Sequence, residues 1–331
     1  MSSVPNRPIP TFTTNSFRAY KEDGKRIVMC TAYDVTQARL AQAAGVDTIL
    51  VGDSLGMTTL GYDSTLPVTM DDMLRATAAV TRGAPDTYVV ADMPFMSYQA
   101  SYEEGMRNAG RLMAEAGAQA VKLEGASADT LTLVEGLVDA GIPVVGHLGL
   151  TPQSVNTLGG YRVQAKEKPD IIELFSSTHF LMGAGISALV VECVPAEVAR
   201  QLQEMFAVPI IGIGSGPHCD GEVQVFHDLL GLDSSFTPRH AKRFVEGAEL
   251  LGNALEEYVQ SVRATTFPGE DQSTHVDQAV VEDASAAFAS LVLEDLSQEI
   301  EGALEAVAEA GGIGTDGGKG FFPGGFRASF N

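Results

Sequence analysis

Five apolar runs in this chain finish on, or just before, an ionisable side chain. Asp53 follows Val46–Val51, Asp92 closes Val89–Asp92, Glu124 closes Val121–Glu124, His147 closes Val144–His147 and Glu192 closes Leu189–Glu192. A helix cap or a salt-bridge partner would explain any one of them; the repetition asks for a shared cause. Asp53, Asp92 and Glu124 are hard oxygen donors, suited to an octahedral Mg2+ that keeps positions open for water or substrate. Crowded together without a cation they would repel one another, so a metal or a lysine should sit among them. Lys122 lies two residues before Glu124 and therefore on the same side of that strand. A buried ion pair that merely fills space is the plainer reading of Lys122 and Glu124. A cation beside Lys122 would instead attract an anionic small molecule, such as a 2-oxo acid chelating through its carboxylate and keto oxygens. Glu192 sits between Leu189–Val191 and Cys193–Pro195, an apolar setting that raises a carboxylate's proton affinity and makes it a useful base. Its plainer reading is an acid at a helix amino terminus. Metal polarisation of a ketone next to a base is the machinery for removing a proton α to the carbonyl and forming an enolate.

These side chains need a scaffold that brings strand ends together. Residues 27–263 alternate short apolar runs with longer segments rich in small or amphipathic residues, the pattern of a parallel α/β fold. The runs Ile27–Ala32, Asp47–Gly52, Thr87–Asp92, Ala118–Glu124, Ile142–His147, Ser187–Glu192, Val208–Gly214 and Glu222–His227 are expected as strands. Eight of them suit a (β/α)8 TIM barrel, whose carboxyl strand ends converge on one mouth. Helices are expected at Asp34–Ala44, Met70–Thr81, Tyr102–Ala116, Ala128–Ala140, Ile171–Ala184 and Pro195–Phe206, with Asp34 as a cap and Gly45, Gly117, Gly141 and Gly185 at their ends. Within Val51–Met57, Gly52 and Gly56 let backbone approach a ligand. Ile211–Gly216 lacks the spacing of a dinucleotide loop and reads as small residues at the mouth.

Composition excludes several classes. A net charge of -22 over 331 residues argues against nucleic acid and anionic membrane surfaces, which need basic patches. No apolar run approaches the length of a membrane span, and Met1–Thr14 shows no signal peptide, so a cytoplasmic protein is expected. Cys30, Cys193 and Cys219 are scattered without zinc or disulfide spacing and read as small buried hydrophobes. The acid surplus also fits a salt-rich habitat.

The chain resembles the ketopantoate hydroxymethyltransferase family through Cys30–Asp34, Val51–Met57, Ser64–Thr69, Ala91–Phe95, Val121–Gly125, Gly146–Gln153, Val191–Pro195 and Ile211–Gly214, in order from about Phe17 to Gly269. The resemblance implies a barrel of the phosphoenolpyruvate/pyruvate type that moves a one-carbon unit from 5,10-methylenetetrahydrofolate to 3-methyl-2-oxobutanoate, giving 2-dehydropantoate for pantothenate and coenzyme A synthesis. It implies Asp53, Asp92 and Glu124 at the Mg2+ site, and Asp53, Ser54, Asp92 and Lys122 on the oxo acid. Glu192 is implied as proton acceptor and His147 in a supporting role; a structural tie between strand five and its loop is the alternative for His147. Members are commonly homo-oligomers, often decamers, and a homo-oligomer is expected. The family usually has alanine where Ser215 stands, and Ala165–Pro169 is less typical of its loop. The competing reading is another Mg2+-dependent 2-oxo acid lyase or mutase on the same barrel, which would share the carboxylates without needing folate. A non-catalytic barrel would be expected to lose one of Asp53, Asp92, Lys122, Glu124 or Glu192, and all five are present.

The expected division is a catalytic barrel over 1–270 and an acidic extension over 271–331. Phe288, Val292, Leu296, Ile300, Leu304 and Val307 recur at three or four residues, which predicts an amphipathic helix within 276–310 that should dock on another surface, a neighbouring subunit being one option. Gly311–Asn331 is glycine-rich and reads as a flexible tail.

Overall fold

The computed structural model describes residues 12–233 and 238–309. Eight strands, β1 (Ile27–Thr31), β2 (Thr48–Val51), β3 (Tyr88–Asp92), β4 (Ala120–Glu124), β5 (Val144–Gly149), β6 (Ala188–Glu192), β7 (Ile210–Ile213) and β8 (Gly221–Gln224), pair in parallel in chain order, and β8 closes on β1. This is the (β/α)8 barrel expected from the alternating runs.

The two faces of each strand belong to different cores. Met29, Leu50, Tyr88, Val90, Ala120, Val145, Ala188, Val190 and Ile211 fill the barrel interior, whereas Ile49, Val89, Val121, Val144, Leu189 and Ile210 pack outward against the helices. Strand parity then decides where the polar ends point. Tyr88, Val90 and Asp92 share one face, as do Ala120, Lys122 and Glu124, then Val145 and His147, then Ala188, Val190 and Glu192. Each ionisable residue is thus the next step of an interior column, at the carboxyl end where such barrels carry their chemistry.

The helices between strands follow the sequence signals closely. Asp34 caps Val35–Ala44 by accepting the Thr36 and Gln37 N–H groups, at 2.7 and 2.8 Å, and Gly45 ends that helix in the left-handed region. Helices Met70–Gly83, Tyr102–Ala114, Ala128–Asp139, Lys168–Gly183 and Ala196–Met205 lie where expected, with ends shifted by a few residues. At Lys168 the helix starts three residues early because Pro169 occupies its first turn, where a missing N–H costs nothing. The eighth strand is shorter than expected: the Phe226 N–H is taken by Thr31 Oγ1 at 3.0 Å, and Phe226–Leu230 coils into a helix. Thr14–Glu22 and Gly247–Arg263 are further helices that strand-centred reading did not anticipate. The first inserts Phe17 fully into the interior core beside Phe12 and Tyr88, on the amino-terminal side of the strands.

The chain divides into two compact units, Met1–Leu255 and Glu256–Asn331, a boundary inside the helix Gly247–Arg263. The second unit contains the 32-residue helix Gln278–Glu309, all of whose residues are exposed. The expected glycine-rich tail, 311–331, lies outside the described residues.

Candidate active site

The interior columns deliver their polar ends to one cluster. The Lys122 ammonium lies 3.1 Å from Asp92 Oδ1 and 3.1 Å from His147 Nδ1. His147 Nδ1 is 3.2 Å from Glu124 Oε1, and its Nε2 is 3.3 Å from Glu192 Oε2. Asp53, two residues past β2, donates its backbone N–H to Asp92 Oδ2 at 3.0 Å. Gly52 permits this turn: a Cβ there would meet the Ser54 hydroxyl at 2.8 Å and approach Asp92 Oδ2. Ser54 itself meets the Tyr33 hydroxyl at 2.8 Å and opens the short helix Leu55–Thr58. Asp53, Asp92, Lys122, Glu124, His147 and Glu192 are therefore joined through one network, with Ser54 beside Asp53 at its edge.

Burial dominates the electrostatics. It raises Asp53 well above the usual carboxylate range, and the charges of Asp92 and Glu124 push it further. Asp92 is raised for the same first reason, with Lys122 and the Asp53 N–H opposing. Burial lifts Glu124 to about 7 against the pull of Lys122 and the Gln153 N–H. Burial also works against the Lys122 ammonium, but Asp92, Glu124 and Asp53 outweigh it and hold it above the ordinary lysine range. Burial first, then Lys122, keeps His147 below the usual imidazole range. A neutral His147 whose Nδ1 accepts from the Lys122 ammonium must carry its proton on Nε2, facing Glu192. That contact is close but lacks the alignment of a hydrogen bond. Glu192 is the most solvated member: its side chain is 17% exposed, against 5% or less for Asp92, Lys122, Glu124 and His147.

Sequence reasoning passed over three side chains in this network. Gln153, past β5, donates its amide to Asp53 Oδ2 and its backbone N–H to Glu124 Oε2, at 2.9 and 3.0 Å. The Tyr98 hydroxyl accepts the Glu124 N–H at 3.1 Å. Tyr33 holds Ser54. All three are uncharged and lie far along the chain from the residues they touch, so neither charge pattern nor periodicity marks them; for Gln153 and Tyr33 the family motifs Gly146–Gln153 and Cys30–Asp34 are the signal. The glycines near β7 serve packing instead of ligand access: a Cβ at Gly212 would strike Cys219 Sγ at 2.9 Å and one at Gly216 would strike Ala196 at 2.4 Å. The buried Ser215 hydroxyl donates to Val191 O at 2.7 Å and accepts the Val194 N–H at 3.3 Å, clamping the end of β6.

Among the described residues no three His, Cys, Asp or Glu side chains form a ready-made cation cage. The donor set nevertheless fits a hard cation. Each acid spends one oxygen on the scaffold: Asp53 Oδ2 on Gln153, Asp92 Oδ2 on the Asp53 N–H, and Glu124 Oε2 on the Gln153 N–H. The second oxygens are Asp53 Oδ1, Asp92 Oδ1 beside the Lys122 ammonium and Glu124 Oε1 beside His147 Nδ1, and buried Asp92 Oδ1 has no aligned hydrogen bond. Three buried carboxylates at odds with one another are stabilised when a divalent charge joins them.

A closed parallel barrel whose interior columns end in acids, a lysine and a histidine defines a (β/α)8 enzyme with its chemistry at the carboxyl-end mouth. Residues 11–270 match the ketopantoate hydroxymethyltransferase family, and the chain belongs to that family. The 3-methyl-2-oxobutanoate hydroxymethyltransferase of Carboxydothermus hydrogenoformans is 50% identical over 270 residues, spanning 82% of this chain and 98% of that protein. The enzyme of the same name from Halalkalibacterium halodurans is 48% identical, spanning 82% and 97%. Among solved structures, phosphoenolpyruvate phosphomutase of Streptomyces platensis subsp. rosaceus superposes with a TM-score of 0.55 at 15% identity, over 87% of this chain and 98% of that one. Phosphonopyruvate hydrolase in complex with oxalate and Mg2+ gives 0.54 at 13% identity, over 85% and 98%. At those identities the likeness is one of fold.

Proposed function

We propose that the chain moves a one-carbon unit from 5,10-methylenetetrahydrofolate to 3-methyl-2-oxobutanoate, giving 2-dehydropantoate, with Glu192 as base. The observation that carries this reading is the cluster at the ends of β3 to β6: Lys122 among buried acids, next to a neutral histidine and a more solvated glutamate. Lys122 supplies the positive charge that draws in a carboxylate, and Ser54 and the Asp53 turn border the same space. Asp53, Asp92 and Glu124 would hold Mg2+. Bound there, the cation supplies Lewis-acid polarisation of the keto group. Glu192 takes the C3 proton, and the His147 Nε2–H faces its Oε2 to steady the carboxylate between charge states. Water opens the two C–N bonds that hold the one-carbon unit, releasing tetrahydrofolate and a formaldehyde-level carbonyl; the carbon nucleophile forms its C–C bond there, and the resulting alkoxide takes the proton held by Glu192.

The same reading takes 1–270 as the catalytic barrel and 271–331 as an appended extension, and it takes the enzyme as a cytoplasmic homo-oligomer. Among the described residues no helix is long and apolar enough to cross a membrane. With Mg2+ and no folate, purified protein should exchange the C3 proton of 3-methyl-2-oxobutanoate with solvent deuterium, read by NMR; with folate it should form 2-dehydropantoate. Glu192→Gln should slow exchange by about 10²–10⁴-fold while cation binding persists. Absence of both exchange and product in the wild type would refute the assignment. Exchange without any folate-dependent product would favour a lyase or mutase.

A further inference from the structure

We infer that Gln153 is a positioning residue that fixes which oxygens of Asp53 and Glu124 face the mouth, and through them sets divalent-cation affinity. The inference rests on the reading of those acids as cation ligands.

Gln153 is buried and every hydrogen-bonding group of its amide is used. Nε2 donates to Asp53 Oδ2 and to Met93 O, both at 2.9 Å. Oε1 accepts from the Tyr98 hydroxyl and from Gln99 Nε2, both at 3.1 Å. The amide can be oriented only one way, because turning it over would set its oxygen against a carboxylate and a carbonyl. Its backbone N–H takes Glu124 Oε2 at 3.0 Å. One residue on the loop after β5 therefore holds acids that follow β2 and end β4, and the oxygens it does not bond are Asp53 Oδ1 and Glu124 Oε1, the latter 3.2 Å from His147 Nδ1. Tyr98 reinforces the arrangement from two sides, since its hydroxyl donates to the Gln153 amide and accepts the Glu124 N–H.

Without the side-chain amide the Asp53 carboxylate could rotate away from Glu124, which keeps the Gln153 backbone N–H, because closely spaced like charges repel. A cation would then have to reorder that carboxylate on arrival. Partners that hold ligand carboxylates typically govern metal affinity by about 10–100-fold. A purely structural glutamine would affect folding stability while leaving that affinity alone.

The test uses the full-length protein. Mg2+ is titrated by calorimetry, and Mn2+ by electron paramagnetic resonance, into the wild type, Gln153→Met and Tyr98→Phe. Gln153→Met is expected to weaken both cations by about 10–100-fold. Tyr98→Phe should do so in the same direction by less, and it carries the test should the methionine variant fold poorly. In turnover, the Mg2+ concentration needed for half-maximal rate should rise in both variants, with kcat recovering towards wild type at saturating Mg2+. Unchanged cation affinity in both variants, with or without a lower thermal midpoint, overturns the positioning role alone. A wild type that binds neither cation sinks the ligand reading, and this inference with it.

Discussion

At the barrel mouth, Asp53, Asp92, Lys122, Glu124 and His147 are packed into an apolar wall, whereas along Gln278–Glu309 the side chains of Phe288, Leu291, Leu293 and Ile300 point outward among acids. Each region inverts the usual rule that charge is exposed and hydrocarbon buried. Buried charge survives at the mouth because the groups are mutually engaged: the lysine offsets the acids, and backbone N–H groups and the Gln153 amide occupy the oxygens facing the scaffold. Along the helix nothing among the described residues of its own unit compensates, and each exposed leucine forgoes about 1.5–3 kcal/mol of burial. An inversion held together by internal partners points to chemistry. One without partners leaves a surface uncovered.

The contrast should break first at Lys122. Lys122→Met strands Asp92 beside Asp53 and Glu124, so denaturant unfolding should show a loss of about 3–5 kcal/mol, part of it recovered by adding Asp92→Asn. A loss below about 1 kcal/mol would mean that the lysine does not hold the acids in place. Proton linkage gives a smaller, graded effect. Because Glu124 is raised from 4.5 to about 7, the folded state holds its proton more tightly than the unfolded chain does. That stabilisation is complete below about pH 4.5 and is lost as the pH climbs to about 7; Asp53 and Asp92 shift in the same direction. The thermal midpoint of cation-free protein should therefore fall from pH 5 to pH 8, and Mg2+ should raise it more at pH 8. A flat profile would remove the claim that burial strains these acids. The smallest effect is expected on the helix, where Leu293 is 65% exposed. Leu293→Ala should alter stability by no more than about 0.5 kcal/mol. A loss above about 2 kcal/mol would show that the helix is covered in the protein's assembled state, sharpening the contrast into an interface.

The barrel was legible because its strands carry continuous apolar runs, and because a side-chain period of two carries straight from Val90 to Asp92 and from Ala120 to Lys122 and Glu124. The convergence of parallel strand ends on one mouth then made a shared cluster of them. Where a single contact decided the outcome, the reading faltered. Thr31 Oγ1 ends the eighth strand from 195 positions away, and Gln153 reaches Asp53 across 100. Nothing local in Phe226 or Gln153 announces those partners. The helix Gly247–Arg263 escaped for a different reason. Its apolar residues, among them Leu250, Leu251 and Leu255, are largely exposed, so no strand-and-crossover pattern required them.

Gly149 lies at the end of β5 in the left-handed region, where a methyl group would come within 2.3 Å of the Glu192 carbonyl. The Leu150 N–H binds that same carbonyl at 2.8 Å. The hydrogen atom on this glycine's α-carbon is thus the shim that sets the gap between two neighbouring staves of the barrel, one carrying His147 and the other Glu192. Thickening the shim by a single carbon would pry the staves apart and pull the histidine out of register with the glutamate, detuning the mouth without touching any of its ionisable groups.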